Sequence, residues 1–289
     1  MNKAYKKSLS GLLAFSALAL SGCLLQNHYM RDEVADRVAH PAWMVGREIP
    51  AAPFSLTAYE RIHDRGGTAN LYIEGDGDLG YKSDNPTPKN PVALHLASKD
   101  KSKNLIYIAR PCQYSGMIEK GEKCDPAQWR ERRYAPEVAR SYGAAMDEIK
   151  RRYNISAFNV VGFDGGAAIA ADLAATRSDI LSLRTVSGRL DRIGNPRVLN
   201  DLPQRHFIGG QDEDMPPAVL HAYMEKISPT SCAEYSFIQE ASHMEGWVSK
   251  WPELLKEPVA CTGPEREFDA LDLLPAEPIK TTREVPEKP

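Results

Sequence analysis

Along the middle of this 289-residue chain, short apolar runs alternate with stretches of helical periodicity. That pattern points to parallel strands joined by crossover helices, an α/β class. The apolar runs are Phe54 to Ile62, Asn70 to Ile73, Asn104 to Ile108, Ala157 to Val161, Leu183 to Val186, His206 to Ile208 and Tyr235 to Ile238. Between them, Tyr134 to Arg152, Ala167 to Ala175, Pro216 to Ile227 and Glu245 to Leu255 have helical character. Leu71, Ile73, Leu105, Ile106, Ile108, Val160, Val161 and Ile208 are the expected core. In a sheet of this kind the chemistry lies beyond the carboxyl ends of the strands, so the residues just after each run carry the functional signal.

Both ends of the chain break the pattern. Lys3, Lys6 and Lys7 precede an apolar run from Leu9 to Leu20, too short to cross a bilayer comfortably as a mature helix, so residues 1–22 read as a processing signal. The run closes on Leu20-Ser21-Gly22-Cys23, which resembles a bacterial lipobox. The resemblance implies cleavage before Cys23 and attachment of acyl chains to it, which would hold a soluble domain at a membrane surface. Leu24 after the cysteine, rather than Asp, favours the outer membrane, so the expected location is the cell envelope, lipid-anchored and facing the periplasm. Residues 23–50, polar and interrupted by Pro41 and Pro50, read as a tether and a short lead-in helix to a domain of residues 51–262. Residues 263–289 are rich in Pro and Glu with one apolar cluster, Leu271 to Leu274, the composition of a flexible tail.

Composition changes this picture in two ways. At 42% hydrophobic and 26% charged the chain is ordinary for a globular protein, and its formal charge of −3 leaves no basic excess for nucleic acid. A small-molecule substrate is the expected partner, with the membrane as the second. Export would also permit disulfides among Cys112, Cys124, Cys232 and Cys261. Proximity in sequence favours Cys112 with Cys124 and Cys232 with Cys261, although four cysteines allow three connectivities. No Cys-x-x-Cys or His-x-x-x-His spacing supports a zinc site, and no metal or cofactor is expected.

The chemistry-bearing turns follow the strands. After Phe158-Asn159-Val160-Val161 comes Gly162-Phe163-Asp164-Gly165-Gly166 and then the small-residue segment Ala167-Ala168-Ile169-Ala170. Strand, glycine-rich turn and helix around one polar residue is the context of a nucleophile elbow, with Asp164 at its centre. A glycine-rich turn that binds an anion is the alternative, and a central carboxylate argues against it. Downstream, Asp212 follows the run ending at Ile208 and His243 follows the last strand, the order of acid and then histidine in hydrolases with such an elbow. Each alone could be bland, Asp212 as a helix cap and His243 as a hydrogen-bonded loop residue. Upstream, Glu74-Gly75-Asp76-Gly77 ends a strand where an oxyanion hole is built, so the N–H groups of Asp76 and Gly165 are the expected donors. Asp191 is a spare acid. Ser187 and Ser242 are further hydroxyls outside the elbow and read as structural.

These stretches resemble a family of bacterial α/β-hydrolase lipoproteins over about residues 59–251. The similar segments include Tyr72 to Gly77, Pro86-Thr87-Pro88, Ala109 to Tyr114 followed by Cys124, Arg133 to Val138, Gly162 to Gly166, Phe207 to Pro217 and His243 with Gly246-Trp247. The resemblance implies an α/β-hydrolase fold, a mostly parallel sheet flanked by helices, and a Ser/Asp/His hydrolase. Asp164 departs from that pattern. A carboxylate adding to an ester carbonyl would give a mixed anhydride, a poor route, whereas in-line attack on saturated carbon gives an ester that water can cleave. Enzymes of this fold that work so carry a cap, and the segment from Gly188 to Gln204 is too short for one. Two expectations follow: a hydrolase of small ester-like or saturated-carbon substrates using Asp164, His243 and Asp212, or a silent surface lipoprotein whose cleft binds a ligand or envelope partner.

Overall fold

The computed structural model describes residues 30–77, 79, 83–114 and 124–261. Cys23, the leader of residues 1–22 and the tail of residues 263–289 lie outside the described residues.

Eight strands form one sheet: β1 (Val45–Ala51), β2 (Phe54–Ile62), β3 (Ala69–Ile73), β4 (Asn104–Ile108), β5 (Phe158–Phe163), β6 (Ile180–Val186), β7 (Gln204–Gly209) and β8 (Ala233–Ile238). Their order is β1-β2-β4-β3-β5-β6-β7-β8. β2 runs antiparallel to both its neighbours, and the pairs from β4 through β8 are all parallel. All seven apolar runs read from the sequence are strands: two, Phe54 to Ile62 and Asn104 to Ile108, match in full, β5 starts one residue later than expected, and the strands β3 and β5 to β8 run one to three residues beyond the runs, taking in polar positions such as Ser182 and Arg205. The central strands are apolar on both faces because helices cover both, as parallel strands require.

The helices are α1 (residues 30–39), α2 (Val92–Lys99), α3 (Pro136–Tyr153), α4 (Gly165–Thr176), α5 (Pro217–Ile227) and α6 (Trp247–Leu254). α3 starts with proline in its first turn, ends at Asn154 in the left-handed conformation, and buries Val138, Tyr142, Ala145, Met146 and Ile149 along one stripe. Period-two alternation then divides the strand side chains between two cores. Leu71, Ile73, Ile106, Ile108, Val160 and Ile208 pack under α3, α4 and α5. Tyr72, Leu105, Tyr107, Val161 and Phe207 pack under α1, α2 and α6, with Trp247 and Trp251 at the centre. All eight residues expected in the core are buried.

The boundary at residue 51 needs correction. The lead-in helix exists as α1, but Ala35, Ala39 and Met44 are buried in the second core and β1 pairs with β2 from Val45 onward. The polar, proline-interrupted sequence hid an edge strand whose first residues face solvent on both sides. Described chain is therefore part of the domain from residue 30. Both disulfides, Cys112–Cys124 and Cys232–Cys261, have the pairing that proximity favoured. Among the described residues no helix is long and apolar enough to cross a membrane.

Candidate active site

Asp164 sits between the end of β5 and the first turn of α4 with φ 46° and ψ −121°. A non-glycine residue held there is strained, and such strain persists only where the surroundings over-determine it. The surroundings here are close-packed backbone. A Cβ on Gly166 would fall 2.4 Å from the carbonyl oxygen of Ile73, and one on Gly162 would fall 2.5 Å from Cα of Ala167. Glycine at both positions lets β5, α4 and the end of β3 meet, and that meeting pushes Asp164 up into the cleft.

Asp212 and His243, 48 and 79 residues further along the chain by their numbers, arrive at the same point. His243 Nδ1 lies 3.1 Å from Asp212 Oδ2 and 3.2 Å from Oδ1, and Nε2 lies 3.5 Å from Asp164 Oδ1. Asp212 also accepts from the backbone N–H groups of Asp214 and Met215, so it both braces the turn before α5 and faces the imidazole. Burial alone would depress the imidazole, but hydrogen bonds and charge from Asp164 and Asp212 outweigh it and push His243 up to about 10. Burial likewise works against both carboxylates. His243 and the backbone N–H groups outweigh it and hold Asp164 and Asp212 below the usual range. These directions favour an imidazolium between two carboxylates at neutral pH.

The Gly75 to Gly77 loop completes the arrangement. The N–H of Asp76 donates to Asp164 Oδ2 at 2.9 Å, and the N–H of Gly165 is hydrogen-bonded to the same carboxylate. The two donors expected to receive a substrate oxyanion are therefore turned on the Asp164 carboxylate, that of Asp76 on Oδ2. Behind them the Asp76 side chain is buried against Arg110 (2.7 Å), Arg133 (2.9 Å) and the Tyr134 hydroxyl (2.5 Å). Gln113, next to the Cys112–Cys124 bridge, donates to the carbonyl of Gly75 at 3.0 Å. Glu74, pushed up to about 7 by burial, accepts from the N–H groups of Gly75 and Ala93 and from Tyr107, tying the loop to the start of α2. Arg110, Gln113, Arg133 and Tyr134 were not singled out as site residues. They lie 34 to 58 residues from the loop they support, and no local spacing announces such contacts.

A cleft of about 470 Å³ opens over Asp164 and His243, lined also by Leu79, Pro88, Lys89, Arg189 and Met244. Ser187 takes a positive φ of 46° like Asp164, so it does occupy a strained turn, but it is fully buried and cannot meet a substrate. Ser242 accepts from the N–H of Glu245, and Asp191 faces Arg189 and Arg192. Asp212, Asp214 and His243 bring ligand atoms within 4.8 Å of one another, the one such cluster among the described residues. Its donors are already engaged, His243 Nδ1 with Asp212, and Asp212 with the backbone of Asp214 and Met215.

No family model matches the sequence, and no curated protein matches it either. Solved structures do. An α/β serine hydrolase homologue from Coxiella burnetii aligns over 73% of this chain and 93% of its own, with a TM-score of 0.54 and 17% identity. Dienelactone hydrolase from Anabaena variabilis aligns over 74% and 95%, with a TM-score of 0.53 and 16% identity. A lidless α/β serine hydrolase from Xanthomonas campestris aligns over 74% and 96%, with a TM-score of 0.52 and 10% identity. The chain has the α/β-hydrolase fold. It carries no sizeable cap among the described residues, since the stretch between β6 and β7 holds only two single-turn 3₁₀ helices.

Proposed function

We propose that this chain is a hydrolase of small substrates that uses Asp164 as a nucleophile toward saturated carbon, in a cleft derived from a serine-hydrolase plan. The observation that carries the reading is the division of labour between the two oxygens of Asp164. Oδ2 is fixed by the N–H of Asp76, with Gly165 adding a second backbone bond to the carboxylate, while Oδ1 faces His243 and the cleft. In-line attack by Oδ1 on R–CH₂–X forms the C–O bond, and X departs with the electron pair of the broken C–X bond. The product is an aspartyl ester.

Esterification removes the negative charge that sustains the imidazolium. His243 then gives up its proton to solvent and becomes a base, still oriented by Asp212. It takes a proton from water as the oxygen adds to Cγ of Asp164, and the resulting oxyanion develops on Oδ2, where the N–H of Asp76 already stands. Collapse expels the alkoxide, which takes the proton back from His243, and the proton left on the Asp164 carboxyl passes to His243 to restore the starting imidazolium–carboxylate pair. The sum is R–X plus water giving R–OH, X⁻ and H⁺. Small substrates suit the cleft volume, and one solved structure of similar fold is an α/β serine hydrolase without a lid. A single turnover in ¹⁸O water of any substrate found by screening is expected to leave label in the Asp164 carboxylate. Confirmed turnover with Asp164 unlabelled excludes the nucleophilic role.

One observation favours a second reading, a silent binding protein. The Asp164–His243–Asp212 ion triad is self-satisfied, and among the described residues no cap supplies groups to stabilise a departing anion. A folded protein that turns over no electrophile in a broad screen, yet binds a ligand in the cleft, would establish it.

The lipobox reading adds a location. Cys23 is proposed as the lipid attachment site, with the chain held at the envelope and, on the strength of Leu24, at the periplasmic face of the outer membrane. Cys23→Ala is expected to release the chain from the membrane fraction or stall its processing. Unchanged processing and retention would remove the lipoprotein claim.

A further inference from the structure

The catalytic cleft lies at the carboxyl ends of β3 and β5, and the opposite pole of the sheet has a surface chemistry of its own. Trp43 is 80% exposed and Val45 69%, an unusual cost for large apolar side chains in water. Both sit at the start of β1, where Val45 pairs with Glu60 and the neighbouring end of β2 pairs Ile62 with Asn104, the first residue of β4. Around them a shallow depression of about 460 Å³ is lined by Trp43, Arg61, His63, Lys99, Lys101 and Lys103. Lys99, Lys101, Lys103 and His63 are exposed. The nearby acids offset this charge only in part: Asp64 pairs with Lys103 at 3.7 Å, and Asp100 is buried on Asn70, Tyr72 and the N–H of Ser102.

We propose that this pole is a docking face for a membrane surface rich in anionic phospholipid. An exposed tryptophan beside a cluster of lysines is suited to the headgroup layer, where the indole meets the acyl boundary and the lysines are attracted to an anionic surface. The length of chain before α1 permits this orientation, a step that rests on the lipid-anchor reading: α1 begins at the cleft end, where Arg31 donates to the carbonyls of Asn85 and Thr87, and runs down to this pole. Seven Cα steps separate Cys23 from residue 30, a reach of at most about 25 Å even when fully extended. α1 then runs about 15 Å before the chain turns into Trp43. The reach of the tether exceeds the length of α1, so an anchor at Cys23 allows Trp43 to meet the surface. Docked on this pole, the cleft opens away from the bilayer, separated from it by the length of the strands, and takes its substrate from the aqueous side.

The four tryptophans make the test direct, because Trp129, Trp247 and Trp251 are buried and Trp43 alone is exposed. Full chain is reconstituted with vesicles of phosphatidylglycerol and phosphatidylethanolamine, with and without brominated acyl chains, and with phosphatidylcholine vesicles as the comparison. The expected result is a blue shift of the long-wavelength emission and its quenching by brominated lipid in the anionic vesicles. Trp43→Phe should abolish the signal, and Lys99→Glu with Lys101→Glu and Lys103→Glu should reverse it to the water-exposed spectrum. Raising salt past the Debye regime should weaken it in a chain carrying Cys23→Ala. Flotation with the vesicles while Trp43 stays water-exposed and unquenched overturns the docking face and leaves the anchor standing. Quenching that persists in Cys23→Ala supports the face even where the anchor reading fails.

Discussion

The backbone N–H of Asp76 donates to Asp164 Oδ2 at 2.9 Å, so the oxyanion site of this cleft is occupied by the elbow residue's own carboxylate. A serine at the same position would reach no further than its hydroxyl and would leave both donors open to a substrate oxygen. The remaining machinery does not depend on which residue stands there. Asp164→Ser is accordingly expected to gain reaction with fluorophosphonates and to hydrolyse activated aryl esters at least ~10²-fold faster than the wild type, the scale of one oxyanion donor. Labelling followed by intact-mass measurement and an aryl-ester assay reads both. A folded Asp164→Ser that stays inert would count against a competent cleft.

The two disulfides clip local loops, with Cys112–Cys124 beside the Gln113 that holds the oxyanion loop. Reduction of each is expected to cost roughly 2–4 kcal/mol in denaturant titrations. Reduction of Cys112–Cys124 should also slow any turnover, whereas Cys112→Ser with Cys124→Ser leaving activity intact would show that the bridge does not steady the loop. Non-reducing peptide mapping gives the pairing directly.

The elbow was legible because its requirements are local. Gly162, Gly165 and Gly166 flank one polar residue between a strand and a small-residue helix, and nothing but close packing asks for three glycines there. Asp212 and His243 were legible because each lies three to five residues beyond the end of a strand. α2 was missed because it has only eight residues, starts after a proline and is buried along five of them, so neither length nor amphipathicity marks it. The Arg110, Arg133 and Tyr134 cluster on Asp76 was illegible for a different reason. Its members were visible in the sequence, but what joins them is tertiary and involves a loop carbonyl, a turn and a strand end that only the fold brings together.

That cluster makes a stability prediction. Arg110 and Asp76 are both buried, and removing one partner leaves an uncompensated charge. Asp76→Ala is expected to destabilise the domain by about 3–5 kcal/mol in urea. Arg133 is partly exposed and shares the carboxylate with Arg110, so Arg133→Ala should cost distinctly less. Equal losses from the two variants would mean that the cluster is not organised around Arg110.

The last prediction concerns pH and follows from the charge state of the triad. His243 is raised in the folded protein to about 10, against about 6.5 for an unperturbed histidine. The folded state thus binds its proton more tightly than the unfolded state, and the stability gained is fully present below pH about 6.5 and lost as pH rises through 10. Asp164 and Asp212 are depressed, so their contribution is present above about 3.8 and lost as pH falls toward their folded values. Thermal stability should therefore hold a plateau between these limits and fall on the alkaline side earlier than lysine or tyrosine titration alone would require. Asp164→Asn removes one of the two charges that sustain the imidazolium, so the His243 titration followed by imidazole NMR should drop by one unit or more, and the alkaline slope should shrink with it. The same variant imitates the neutral ester in charge, which ties the measurement to the chemistry. If His243 in Asp164→Asn still titrates near 10, esterification could not release it as a base, and the second half of the proposed hydrolysis would have no proton acceptor.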